Sequence, residues 1–193
     1  MLIRSFIALY PDPVAREEMG RYVACLRGRE RGVRWEQAEK IHVTMKFLGE
    51  VEARLLDGVT EGLRAGLPAL ALPADGMDGT IDTVGGFPNL RRPRIVWLGF
   101  ARTPAGLDAL HALVEDVCAA NGAAREDKRF TPHFTIGRAR PGTDPAGLEN
   151  ALHDCSFHDS PTRFTRLRIM ESRLTPQGAL HTERHSISLT PGE

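Results

Sequence analysis

Two short stretches of the sequence share one pattern of chemically reactive residues. The pattern is His-x-Thr followed by an apolar residue, and it occurs at residues 42–45 and again at residues 133–136, about half a chain apart. Imidazole titrates near neutral pH, so two histidines that face one space can act as acid and base on opposite sides of a reacting group. Threonine hydroxyls can donate hydrogen bonds to phosphate oxygens. The pattern therefore predicts acid–base chemistry on a phosphate ester.

Both motifs lie in stretches that alternate apolar and polar residues, which is typical of a β-strand with one buried face. Alternation places His42, Thr44 and Lys46 on one face of the first strand and His133 with Thr135 on one face of the second. The buried face of the first strand would be formed by Ile41, Val43, Met45 and Phe47. One such motif alone would be explained as a surface pair. Its repetition in phase favours two strands that line a common polar groove.

The elements around the motifs alternate between strand and helix patterns. Strands are predicted at residues 4–9, 41–48, 95–100, 133–138, 164–171 and 185–189, with strand-like sequence from residue 70 onward. Helices are predicted to start at Asp12-Pro13, before Leu55, at Thr103-Pro104 and at Asp144-Pro145, where an N-cap residue precedes a proline in three cases. This order predicts an α+β fold built on antiparallel sheets. No linker-like tract divides the chain.

Composition excludes several classes of protein. The 193-residue chain has 25 Lys and Arg against 25 Asp and Glu and is 41% hydrophobic. It is therefore not a disordered chain, and it has no net positive charge that would attract nucleic acid. Its longest apolar runs are too short to span a bilayer, and no secretion signal is visible. Cys25, Cys118 and Cys155 are odd in number and widely separated, which indicates reduced, buried thiols in the cytoplasm.

Together these residues resemble a known family, the two-histidine phosphoesterases, and within it the RNA 2′,3′-cyclic phosphodiesterases, also called 2′-5′ RNA ligase-like proteins. The resemblance spans nearly the whole chain. It is carried by residues 42–50 and 130–138, by Arg4 with residues 6–8, by Trp35, by Gly86-Phe87 and by residues 95–99. One segment departs from the family: Gly178 is followed by Ala179-Leu180-His181, where an aromatic residue is usual.

The resemblance implies a bilobal fold in which two antiparallel β-sheets face each other across a central groove, with helices outside. A pseudo-two-fold axis would relate the lobes, and each lobe of the single domain 1–193 would contribute one His-x-Thr motif. The implied activity is metal-independent hydrolysis, without a cofactor, of RNA or nucleotide 2′,3′-cyclic phosphate ends to 2′-phosphomonoesters. The protein is expected to be a cytoplasmic monomer that does not bind membranes.

The resemblance also assigns roles to individual residues. His42 would be the proton donor to the departing 3′ oxygen, and His133 would be the proton acceptor that activates water. Arg138 would stabilise the charge that develops on the phosphate. The residues expected to bind phosphate or substrate are Thr44, Thr135, Arg138, Lys46 and Phe6, with Phe6 stacked on the base.

Several alternatives stay open on the sequence alone. The same site could act on another cyclic nucleotide or ligate RNA reversibly through 2′-5′ bonds, or the chain could be a non-catalytic RNA-binding module. The second imidazole argues against binding alone. The basic segment 91–94 is explained equally well as an RNA guide or as a solvated loop. His181 and His185 have the spacing of some zinc sites, but their segment is predicted to be a loop that leads into a strand, so no metal site is expected.

Overall fold

The computed structural model describes residues 2–176 and 178–190. Within these residues the chain forms four α-helices and ten β-strands. The strands are β1 (Leu2–Leu9), β2 (Val33–Trp35), β3 (Val43–Glu52), β4 (Met77–Ile81), β5 (Thr83–Phe87), β6 (Ile95–Gly99), β7 (His133–Ala139), β8 (Ser160–Phe164), β9 (Arg166–Thr175) and β10 (Gly178–Ser188). The helices are α1 (Pro13–Arg29), α2 (Ala53–Gly66), α3 (Leu107–Ala120) and α4 (Pro145–Asp154).

The strands form two antiparallel sheets, which confirms the predicted α+β class. The larger sheet has eight strands in the order β10-β9-β1-β3-β7-β6-β5, with β2 also paired to β7, and β4 pairs with β8 in a second sheet. The two motif strands, β3 and β7, are neighbours at the centre of the larger sheet. Among the described residues they pair through Val43 and Phe134 alone. The half of the sheet on each side of this pair therefore carries one motif.

Strand β1 shows that the two faces of the larger sheet differ. Ile7 and Leu9 point into the main hydrophobic core, which also contains the buried residues of the helices. Phe6 and Ala8 alternate with them and lie on the opposite face, in a small cluster with Met170 of β9. We call this second face, on which Phe6 and Ala8 lie, the groove face. Because the helices cover only the other face, the groove face is left open for polar side chains.

Two of the predicted helix starts are confirmed by their caps, and a third is wrong. The carboxylate of Asp12 accepts hydrogen bonds from the first backbone N–H groups of α1, and Asp144 does the same for α4. Helix α3 starts at Leu107 rather than at Thr103-Pro104. Gly106 immediately precedes α3 with a left-handed φ of 86°, so the chain turns there before the helix begins.

The cysteines are not all reduced, contrary to the expectation from their number. Cys25 of α1 is bonded to Cys155, which directly follows α4, and the two Cα atoms lie 5.9 Å apart. Cys118 is a free, buried thiol of α3, and burial raises its pKa to about 11. The bonded pair is 130 residues apart in sequence. Only the packing of α1 beside α4 brings the two thiols together.

The C-terminal strands also differ from the prediction. The strand expected at residues 164–171 is divided at Thr165 into the end of β8 and the start of β9. Strand β10 begins at Gly178 instead of residue 185, so His181 lies within a strand and not in a loop. The short strand β2 was not expected. No helix in the described ranges is long and apolar enough to cross a membrane.

Candidate active site

The two His-x-Thr motifs meet crosswise at the centre of the larger sheet. Val43 and Phe134 are paired and both point into the main core. In an antiparallel pair centred on these residues, the flanking positions oppose each other, so His42 lies across from Thr135 and Thr44 lies across from His133. All four flanking side chains are partly exposed. The arrangement gives a local two-fold relation between the motifs, in which each imidazole faces the other motif's hydroxyl.

Both catalytic candidates are held by the same local hydrogen bond. Nδ1 of His42 lies 2.7 Å from the carbonyl oxygen of Lys40, and Nδ1 of His133 lies 2.7 Å from that of Thr131. A carbonyl can only accept, so each Nδ1 carries a proton and donates. In the neutral ring the unprotonated nitrogen is then Nε2. The backbone two residues upstream thus fixes, in both motifs, which nitrogen can exchange protons with a substrate.

A shift in strand register follows both motifs. The pairing of β3 with β1 skips Met45, and the pairing of β7 with β6 skips Ile136. These residues occupy the same motif position. A skipped residue reverses the faces of the residues beyond it. Phe47 and Arg138, each three positions after a motif threonine, therefore join the groove face, although strict alternation would place them on the other side.

The same shift shows that the placement predicted for Lys46 is wrong. Lys46 pairs with Ile7 on the helix-covered face of the sheet, and its side chain is only 1% exposed. Its Nζ lies 2.7 Å from Oε1 of Glu115 in α3. The other carboxylate oxygen of Glu115 accepts from the backbone N–H of Glu126, in the loop that leads to β7. Lys46 therefore holds β3 to α3 and to this loop rather than contacting the groove.

Phe6 also differs from its expected role as a base-stacking surface. Its side chain is buried, at 3% exposure. One face of its ring is stacked against His42, with centroids 4.8 Å apart and planes at 22°. Tyr10 contacts His42 as well, at 5.3 Å between centroids. The buried Phe6 ring packs against His42 and has no face free for a nucleobase.

His133 is flanked by a second set of rings. The edge of Phe87 contacts it at 4.8 Å between centroids, and Trp97 lies 6.3 Å away. Gly85 pairs with Trp97 across β5 and β6, and a Cβ at Gly85 would overlap the indole ring. The missing side chain at Gly85 therefore provides the space in which Trp97 can lie beside His133.

Two arginines, Arg138 and Arg168, add positive charge to the groove face. Nε of Arg138 lies 3.7 Å from Oε1 of Glu36, and the Arg138 side chain is about half exposed. Arg138 is close enough to both His42 and His133 to lower their pKa values. Arg168 lies over the ring of Tyr10 at 5.1 Å. An anion bound between the two imidazoles would thus lie near Arg138.

A third histidine belongs to this site and was not predicted to do so. His181 contacts the edges of Phe6, at 4.9 Å, and of His42, at 5.7 Å between ring centroids. The sequence signal that could have identified His181 is the departure from the family pattern after Gly178. His185 lies on the other side of the sheet, with Nε2 3.5 Å from Asp57 of α2. Across residues 2–176 and 178–190, no three His, Cys, Asp or Glu side chains converge as metal ligands would.

The protonation of the site histidines is set mainly by burial. Burial lowers the pKa of His42 to about 4, and the nearby His181, His133 and Arg138 add to this effect. The hydrogen bond to the Lys40 carbonyl opposes it. Burial also lowers the pKa of His133 and that of His181. All three rings are therefore neutral at pH 7 in the absence of a bound anion.

The basic segment 91–94 lies in the turn between β5 and β6. The backbone N–H groups of Arg91 and Arg92 donate to the side chain of Asn89, and the side chains of both arginines are exposed. The turn continues from Phe87, whose ring contacts His133. This position is compatible with guidance of an RNA strand, which stays a prediction.

These features define a two-histidine site, with paired imidazoles and hydroxyls at the centre of an antiparallel sheet. A family model described as the 2′-5′ RNA ligase superfamily matches residues 10–175. The chain belongs to this superfamily, which confirms the resemblance drawn from the sequence.

Relatives and solved structures agree with this placement. The chain is 30% identical to an RNA 2′,3′-cyclic phosphodiesterase of Archaeoglobus fulgidus, over 94% of this chain and 97% of the relative. It is 29% identical to the enzyme of that name from Thermotoga maritima, over 93% and 91%. The crystal structure of Escherichia coli LigT complexed with 3′-AMP has the same fold, with a TM-score of 0.75, 21% identity and coverage of 98% and 99%.

Proposed function

We propose that this protein is an RNA 2′,3′-cyclic phosphodiesterase that converts cyclic phosphate ends to 2′-phosphomonoesters. The observation that carries the proposal is the crosswise pair of motifs, in which both imidazoles are anchored at Nδ1 and keep Nε2 for chemistry. Relatives of this name, to which the chain is similar over most of their length, support the proposal.

In the proposed reaction the two histidines move one proton each. Nε2 of His133 takes a proton from a water molecule, whose oxygen attacks the phosphorus. The bond between phosphorus and the 3′ oxygen breaks, and Nε2 of His42 gives that oxygen a proton. Thr44 and Thr135 donate to the non-bridging oxygens, and Arg138 stabilises the added negative charge. Both proton transfers are supplied by side chains, so the reaction as proposed requires no metal or cofactor.

The bound phosphate is needed to prepare His42 as an acid. Without an anion, burial holds the pKa of His42 at about 4, so the ring is neutral at pH 7. A cyclic phosphodiester carries a negative charge, which favours the protonated imidazole beside it. Substrate binding therefore raises the pKa of His42, and Nε2 then carries the proton that the 3′ oxygen receives.

Phe47 takes the base-stacking role that the sequence suggested for Phe6. Its side chain is 61% exposed, and the register shift turns it to the groove face. Its ring lies 6.2 Å from that of Phe6, and Phe6 in turn is stacked on His42. An exposed aromatic face this close to the phosphate site suits the nucleobase of the terminal nucleotide.

The test of the proposed function is hydrolysis of a short RNA with a 2′,3′-cyclic phosphate end, in the presence of EDTA. His42→Asn and His133→Asn are the key variants, because an Asn amide can keep the hydrogen bond to the backbone carbonyl while Nε2 is lost. His153→Asn is the matched control, since His153 is an exposed residue of α4. We expect 2′-phosphate ends from wild type and the control only. An inert wild type, or active variants at both motif positions, would contradict the proposal.

Domain organisation, location and assembly complete the proposal. The crosswise motif pair supports one bilobal domain over residues 1–193, since each half of the sheet supplies half of the site. That the protein is a cytoplasmic monomer stays a prediction. The Cys25–Cys155 disulfide removes the argument for the cytoplasm that rested on reduced thiols, because such bonds are rare there. Gel filtration tests the monomer.

A further inference from the structure

His181 lies in the groove at the position where the sequence departs from its family. It is on β10, opposite Ser172 of β9, and its ring contacts the edges of both Phe6 and His42. The contact with His42 joins a titratable ring to the ring that would donate the proton. A phenylalanine would fill the same space, so packing alone does not explain an imidazole here.

The nitrogens of His181 are in different environments. Nδ1 is buried and has no hydrogen-bond partner among residues 2–176 and 178–190, whereas Nε2 is not among the buried atoms that lack partners. A buried N–H without an acceptor is costly, so the neutral ring carries its proton on Nε2. The accessible nitrogen of His181 is therefore a hydrogen-bond donor at neutral pH.

This donor is within reach of the anion that His42 would hold. The ring centroids of His181 and His42 are 5.7 Å apart. Rings this close to each other can both reach one phosphate group, whose oxygens each accept hydrogen bonds of about 2.8 Å. We propose that His181 is a third imidazole of the phosphate site, which donates a hydrogen bond from Nε2 to the phosphate of the bound nucleotide and binds it more strongly when the ring takes up a proton.

The charges around His181 are compatible with such a switch. Lys40, whose carbonyl anchors His42, disfavours a proton on His181, and Glu36 favours one. On the same strand, Glu183 also lies on the groove face but is paired with Arg168 at 3.3 Å. Without an anion the ring stays neutral, because burial lowers its pKa. A bound phosphate supplies the negative charge that the surroundings lack.

The third imidazole would distinguish product from substrate. A cyclic phosphodiester has one negative charge, whereas a phosphomonoester approaches two above its second pKa of about 6. A protonated His181 gains more from a doubly charged phosphate, but below about pH 6 the product itself takes up a proton and this difference from the substrate is lost. The comparison of wild type with His181→Gln at one pH isolates the imidazole, because both proteins then bind the same form of the phosphate. The inference rests on the proposed function for the identity of the anion.

The test is equilibrium binding of a 2′-phosphorylated nucleoside, measured by calorimetry at about pH 5.5 and about pH 7.5. His181→Gln keeps a donor that does not titrate, and His181→Phe keeps the ring without a donor. We expect His181→Gln to bind like wild type at the higher pH and about tenfold more weakly at the lower pH, since charged hydrogen bonds are the stronger ones. His181→Phe should bind more weakly than wild type at both. His185→Gln, on the opposite face, is the control and should match wild type.

Two results would overturn the proposal. One is binding by His181→Phe that equals wild type at both pH values. The other is a wild-type advantage over His181→Gln that does not grow toward the lower pH. Hydrolysis of the cyclic substrate by the same wild-type preparation is measured in parallel. Turnover without any effect at His181 rejects this inference alone, whereas His181-dependent phosphate binding without turnover supports it and rejects the proposed function.

Discussion

Lowering the pH should destabilise the folded protein through His42, and replacing His42 by Asn should remove that part of the loss. In the unfolded chain an imidazole has its ordinary pKa of 6.5, whereas burial holds the pKa of His42 at about 4 in the fold. Between these values the unfolded state binds a proton that the folded state does not. The stability is therefore fully present above pH 6.5 and is lost as the pH falls toward and through 4. At pH 4 the loss from this group is about 3 kcal/mol.

The assay is urea unfolding of wild type and His42→Asn at pH 7 and pH 4. Asn cannot titrate but can keep the hydrogen bond to the Lys40 carbonyl, and the carboxylates that titrate in this range are common to both proteins. We expect wild type to lose about 3 kcal/mol more than the variant. His153→Asn, an exposed position, should lose as much as wild type. An equal loss in His42→Asn and wild type would refute the reasoning that burial depresses this pKa.

Three further predictions follow from contacts around the site. Gly85→Ala should reduce kcat/KM by about 10- to 100-fold, because a Cβ at this position displaces Trp97 from beside His133 and small displacements of a catalytic group are costly. An unchanged kcat/KM would show that Trp97 does not hold His133 in position. Lys46→Met should lower the free energy of unfolding by about 3–5 kcal/mol, since it leaves Glu115 without its partner, and adding Glu115→Leu should restore much of it. Cys25→Ser should lower the free energy of unfolding in urea by about 2–4 kcal/mol, because it removes the disulfide. If the wild-type protein, denatured without a reducing agent, shows three reactive thiols, the disulfide is disproved.

The motifs and their neighbours could be predicted because their signals are local. The His-x-Thr repeat marks two strands by its alternation, and Asp12 and Asp144 mark helix starts because their caps involve residues two or three positions away. A pattern that repeats in phase on two strands also predicts a shared site.

Lys46 shows where strict alternation fails. Its assignment to the groove assumed a regular strand, but the pairing of β3 with β1 skips Met45. Such a shift depends on the partner strand and has no signature within residues 42–48. The corresponding shift after Ile136 returns Arg138 to the groove. Period-two counting would have placed Arg138 on the other face, so its proposed role in phosphate binding came from the family resemblance and stays a prediction.

The disulfide and the third histidine depend on tertiary packing. Cys25 and Cys155 are brought together by two helices that lie 130 residues apart in sequence at these positions, so their separation in the chain carried no information about pairing. His181 enters the site because β10 starts at Gly178 and runs beside β9. Its residue type was visible in the sequence, but its position against His42 required the sheet order.

The central claim is that two imidazoles work in opposite protonation states, and the pH dependence of kcat/KM tests it most directly. The measurement is hydrolysis of an RNA 2′,3′-cyclic phosphate end in EDTA from about pH 4 to pH 9. Because kcat/KM reports the free enzyme and burial lowers the pKa values of both His42 and His133, we predict a bell-shaped profile with its maximum below pH 6.5. A profile that is flat, or one that still rises above pH 6.5, would contradict the account.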